Sequence, residues 1–178
     1  MTAEEKREVL GQLQAGRTAL GAALEGVDEE MAARKPADGG WSIAECVEHV
    51  SVSERYLYSR LTCAERAEQR AENHVREARI LVRGVDRSRR VECPADGLPV
   101  GRFGSLREAL ADFDAARAET VRFVEEFEDD PRCWMTDHPV IPGPVNVVEI
   151  WLTMAVHVAR HAKQIVEIRG ALGTRAEV

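Results

Sequence analysis

Lysine is scarce in this chain of 178 residues: only Lys6, Lys35 and Lys163 occur. The other basic side chains are arginines scattered among Glu and Asp, and the formal net charge is −7. A face that neutralises phosphates usually needs a basic excess, so nucleic acid is not an expected partner. Long apolar runs are missing too. None approaches the roughly 20 residues that span a bilayer, which argues against a membrane partner. The opening "MTAEEKREVL" is polar and holds no apolar leader core. The expectation is a soluble, cytoplasmic protein. Cys46, Cys63, Cys93 and Cys133 show no CxxC spacing and read as free thiols in a reducing compartment. Sustained period-two alternation is absent, so no extensive sheet is expected. There is no HExxH helix, P-loop, GxGxxG or GxSxG elbow, which removes the commonest local signatures of zinc proteases, nucleotide binders and serine hydrolases.

What the chain does have is a repeated helix start. In a capping box, Ser or Thr at the N-cap and Glu or Gln three residues on satisfy each other's backbone N–H groups. Thr2 and Glu5, Ser42 and Glu45, and Ser105 and Glu108 have this spacing, and Asn146 with Glu149 is its Asn variant. Each precedes an apolar pattern of helical period. The first helix is expected from Thr2 to about Glu25, with Leu10, Leu13, Leu20 and Leu24 inward. The second starts at Ser42 and turns Ile43, Cys46, Val47, Val50, Leu57 and Leu61 to the core. The third runs from Ser105 to about Phe127 on Leu106, Leu110, Phe113, Val124 and Phe127. The fourth runs from Asn146 to about Arg169, with Gly170 placed as a C-terminal cap. The fold class is all-α, a four-helix bundle in a single domain over 1–178.

The second connection, from about Glu68 to Gly104, is the longest. Its charged first part is compatible with helix as far as Val82, and "VECPADGLPVGRFG" after it cannot be regular. Such a crossover can let helices two and three run parallel.

On the fourth helix the inward stripe is Val147, Ile150, Met154, His157, His161, Ile165 and Ile168. Every step is three or four residues, so the two histidines lie one above the other on the core face. Buried imidazoles need partners. A divalent metal satisfies them, and so do buried hydrogen-bonding side chains. His49, beside the inward Cys46 and Val50, can reach the same core from another helix. Two ligands from one helix and one from a neighbour leave coordination positions open, as in catalytic sites. His74 sits among Glu and Arg and reads as exposed. His138 precedes a proline and is biased to an extended conformation, either as a loop residue or at the mouth of a site. Di-iron bundles carry Glu-x-x-His on core helices, whereas Cys46, Met154 and Val158 stand three before His49, His157 and His161.

Three stretches together resemble the DinB-like family. "GGWSIAECVEHVSVSE" is similar to its second-helix signature, with Trp41, Ser42 and His49 in order. "HPVIPGPVNVVEIWLTMAVHVARHAKQI" resembles its C-terminal signature of a His-Pro loop, a helix start, and His-x-x-x-His followed by Gln164. "CPADGLPVGRFGSLREALADFDAAR" resembles its crossover and third helix. The resemblance covers nearly the whole chain. It implies an up-down-down-up bundle and a three-histidine divalent-metal site at His49, His157 and His161, with zinc or nickel as the ion. It also implies a metal-dependent transferase acting with a low-molecular-weight thiol such as bacillithiol or mycothiol, or a metal-dependent hydrolase.

The expected chemistry is a nucleophile generated near neutral pH at an open site. Glu45 and Gln164 are candidates to orient the imidazoles, and His138 is the one loose candidate for proton transfer. The alternative is a non-catalytic metal- or ligand-binding stress protein. A homodimer is the expected assembly.

Overall fold

The computed structural model describes residues 1–68, 70–71, 74–89 and 91–173. Four long helices form its frame: α1 (Ala3–Leu24), α3 (Ile43–Thr62), α5 (Leu106–Glu126) and α6 (Val147–Gly173). Two shorter ones, α2 (Glu29–Ala33) and α4 (His74–Gly84), lie in the connections. None of the described helices is long and apolar enough to cross a membrane.

The caps form as their residue types dictate. Thr2 with Glu5 and Ser42 with Glu45 are complete capping boxes. Asn146 and Glu149 exchange the same pair of bonds at 2.9 and 3.0 Å. Ser105 makes only half of its box. Its hydroxyl accepts from Glu108 N–H, but the Glu108 carboxylate turns back to Gly104 N–H.

The core divides into two clusters along the bundle axis. One joins the later parts of α1 and α6 (Leu20, Ala23, Val158, Ile165, Ile168) to the early parts of α3 and α5 (Ile43, Val47, Val50, Leu106, Phe113). The other joins the early parts of α1 and α6 (Val9, Leu13, Val147, Trp151, Met154) to the late parts of α3 and α5 (Leu57, Leu61, Val124). Between them lies a buried ion pair. Arg117 on α5 donates to both Glu54 oxygens at 2.7 and 2.8 Å, and to the carbonyls of Leu13 and Met154. One guanidinium thus ties all four long helices, because its fork supplies several donors in fixed directions.

The stripe on α6 follows the apolar reading closely. Val147, Ile150, Met154, His161, Ile165 and Ile168 are buried, and His157 is half-buried at the wall of a groove. Gly170 differs from expectation. It lies inside α6, which continues to Gly173 because Leu172 packs into the core one turn later.

Two further features were not among the expected elements, a short helix and a small sheet. Asp28 caps the short α2, which buries Ala32. Three very short strands, β1 (Glu65–Arg66), β2 (Trp134–Thr136) and β3 (Val145–Asn146), form one antiparallel sheet in that order. The sheet pairs segments far apart in sequence and is too short to show alternation. In the long crossover, α4 fills part of the stretch expected to be charged and helical, with residues 69, 72, 73 and 90 outside the described set. α4 docks on α6 through Gly84, where a Cβ would stand 2.3 Å from Val156 Cγ2.

Candidate metal centre

His49 lies two turns into α3, on a run of buried residues from Cys46 to Ser51. His157 and His161 lie one turn apart on α6 and face it. One ring nitrogen from each of the three falls within 4.8 Å of the others. The ring centroids of His49 and His157, His49 and His161, and His157 and His161 are 4.9, 4.7 and 4.6 Å apart. The rings meet edge-on, at 65°, 64° and 68°. Among the described residues no Cys, Asp or Glu joins this group.

The three are held neutral. Burial lowers His49, against a raising effect of the Gly97 carbonyl. His157 and His161 fall well below the ordinary histidine range, first by burial and then by the charges of the neighbouring histidines and arginines. Neutral imidazole is the ligating form.

The tautomers follow from the partners. A carbonyl only accepts, so His49 Nδ1–H donates to Gly97 O at 2.7 Å. That leaves the His49 Nε2 lone pair facing His157 Nε2 at 3.0 Å. Nitrogens that share a tetrahedral ion at about 2.0–2.1 Å each stand roughly 3.3 Å apart, so this pair is close to the spacing an ion demands. His161 adds an independent observation: its Nδ1 is buried and has no hydrogen-bond partner among the described residues. Such an orphan is costly, and a bound ion relieves it. The donor set fits a divalent transition-metal cation, the class that imidazole suits.

The centre opens on a groove of about 1670 Å³, lined by Trp41, Tyr56, His138, Val140 and the faces of α4 and α6. Trp41 packs on His49 and His161, with centroids 4.9 and 6.2 Å away.

A family model for the DinB superfamily matches residues 12–165. This chain belongs to the DinB superfamily. The match takes in α3, α4 and α5 and all three histidines. Of the curated proteins, none matches the sequence. Among solved structures, YfiT from Bacillus subtilis is similar in fold, with a TM-score of 0.62 and 16% identity, over 97% of this chain and 90% of that one. YfiT is described as a probable metal-dependent hydrolase with an unusual four-helix bundle topology.

The other candidate residues of this DinB-superfamily chain separate in space. Gln164 and His138 both line the groove. Gln164 Oε1 accepts from Arg87 at 3.1 Å. His138 Nδ1 accepts the backbone N–H groups of Val140 and Ile141, each at 3.0 Å. Burial lowers its pKa to about 4, so it is neutral with the proton on Nε2. Glu45 is engaged elsewhere: its carboxylate accepts from Ser42 N–H and pairs with Lys35 at 2.9 Å. Among the described contacts, no bond joins it to an imidazole.

The carboxylate that matters for His49 is its neighbour Glu48. It accepts from the backbone N–H groups of Val100 and Gly101 at 2.8 and 3.1 Å, and from Arg102 at 3.0 Å. Burial pushes this carboxyl up, but the hydrogen bonds prevail and hold it below its ordinary value. Glu48 thereby anchors the loop whose Gly97 carbonyl orients His49. The sequence signal was a Glu inside the buried run "CVEHV". The carbonyl itself left none, because it belongs to a single 3-10 turn, Ala95–Gly97, too short to carry a periodic pattern.

Proposed function

We propose that His49, His157 and His161 hold a divalent cation, zinc or nickel, and that the chain is a metal-dependent enzyme. Its reaction is hydrolysis or transfer of a low-molecular-weight thiol to a small electrophile. The observation that carries this reading is the convergence of three neutral imidazoles from two helices at the floor of a wide groove. When bound, such a cation acidifies a water or thiol and supplies a nucleophile near neutral pH.

The chain's own residues set up that chemistry. Gly97 O accepts a hydrogen bond from Nδ1–H of His49, which fixes the proton there and leaves Nε2 free to ligate. Trp41 shields two of the imidazoles from water on one side. His138, with its proton on Nε2, serves as a hydrogen-bond donor in the groove wall rather than as a base, since Nδ1 is occupied.

Elemental analysis of purified wild type, His157→Ala and His161→Ala proteins tests the site. About one equivalent of metal is expected in wild type and less than a tenth of it in either variant. Equal content in all three would sink the metal reading. A panel of thiols and electrophiles then tests catalysis, and no rate above a His49→Ala control would favour a non-catalytic binding role.

A further inference from the structure

The groove has a wall that the metal reading leaves unexplained. Arg76, Arg79 and Arg83 follow one face of α4 at steps of three and four, and Arg87 continues the row just past its end. Arg160 of α6 faces them, one residue before His161. Like charges at such steps repel and weaken a helix. The ends of the row are compensated. Arg76 pairs with both oxygens of buried Glu149, and Arg87 pairs with Glu167 at 2.8 Å. The middle is not: Arg79 and Arg83 have no carboxylate partner among the described residues.

Arg160 is similar in kind. Among the described residues its guanidinium donates only to main-chain carbonyls, those of Asp86 and Arg89. Two of its N–H groups are used there, and an Arg carries five. With five arginines against the two carboxylates of Glu149 and Glu167, positive charge is in excess along this wall beside the imidazoles. Of the acids lining the groove, Glu167 of α6 is engaged with Arg87, and Asp38, Glu92 and Asp96 belong to the α1–α3 connection and the segment before Gly97, not to this wall.

We propose that Arg79, Arg83 and Arg160 form an oxyanion-binding wall, and that the substrate of the centre carries a carboxylate or phosphate held there. The proposal rests on the groove being the substrate site. Arginine suits the task because its planar fork meets a carboxylate or phosphate with two parallel bonds. Gly84 makes the wall possible, since only a residue without Cβ lets α4 approach Val156 closely enough to bring the row against Arg160.

The test uses metal-free protein, so that no cation can bind the probe. Inorganic phosphate and succinate are titrated separately by calorimetry, with chloride holding ionic strength constant. Saturable binding of either is expected, and the preferred probe identifies which oxyanion the wall takes. Arg79→Gln/Arg83→Gln should bind at least about tenfold more weakly. Both residues are exposed, so the double variant keeps its fold, which circular dichroism checks. Arg160→Gln should weaken binding as well. No saturable binding of either probe, or equal affinity in wild type and the double variant, would overturn the wall. Metal uptake is measured on separate samples of the same variants, reloaded with zinc after the titrations. Lost oxyanion binding with metal retained assigns the loss to the arginines. Oxyanion binding by a wild type that takes up no metal supports the wall and overturns the metal reading alone.

Discussion

His49 Nε2 and His157 Nε2 stand 3.0 Å apart across 108 residues of sequence. Only one proton can lie between them. The bond to Gly97 O keeps the one proton of neutral His49 on Nδ1, so in the metal-free protein the shared proton belongs to His157. Adding zinc should move it to His157 Nδ1, freeing both Nε2 lone pairs. Nitrogen-15 spectra of the imidazoles, recorded before and after one equivalent of zinc, check this. An unchanged His157 tautomer would contradict the assignment.

Burial sets a pH dependence. His49, His138, His157 and His161 all titrate below the ordinary histidine value of about 6.5. As pH falls below that value, the unfolded chain takes up protons that the folded chain refuses. Stability is therefore full above about pH 7 and declines as pH drops, before most carboxylates titrate. Each histidine contributes at most about 1.4 kcal/mol per pH unit. The Tm of chelator-treated protein should fall steadily from pH 7.5 to 5, and a flat profile would count against neutral buried imidazoles.

Two glycines of α1 should respond oppositely to the same change. A Cβ at Gly16 would stand 2.7 Å from the carbonyl oxygen of Ala155, a backbone atom that cannot step aside. Gly16→Ala should destabilise by about 1–3 kcal/mol through separation of α1 from α6. Gly11 is exposed, with nothing within 4 Å of an added Cβ. Gly11→Ala should stabilise by about 0.5–1 kcal/mol. Urea denaturation of both variants provides the comparison, and a shared sign would refute it.

The Glu54–Arg117 pair should be costly to break from one side. Arg117→Ala leaves the Glu54 carboxylate buried with, among the described residues, only the Thr120 hydroxyl as partner, at 2.9 Å. The expected loss is about 3–5 kcal/mol. Replacing both, with Glu54→Leu and Arg117→Met, should recover much of it. Equal losses in the single and double variants would mean that the packing around Arg117, not the unpaired charge, sets the cost.

Much of the frame and the centre was legible from residue types at fixed spacing. Ser, Thr and Asn caps with a Glu three residues on mark helix starts, because the bonds they make are local. The i, i+4 placement of His157 and His161 on an apolar stripe follows from helical period alone. The family membership expected from Trp41, His49 and the His-x-x-x-His stretch was met over residues 12–165. Tertiary structure decided the rest, because it depends on contacts between distant segments. The three short strands exist only through their pairing. Glu45 and Glu48 lie three residues apart on α3, yet the loop above the helix chooses Glu48 as the anchor for Gly97. The arginines of the crossover read as a solvated charged stretch, since period cannot tell an exposed face from one that lines a groove. Docking of α4 on α6 through Gly84 and Val156 turned that face toward the histidines.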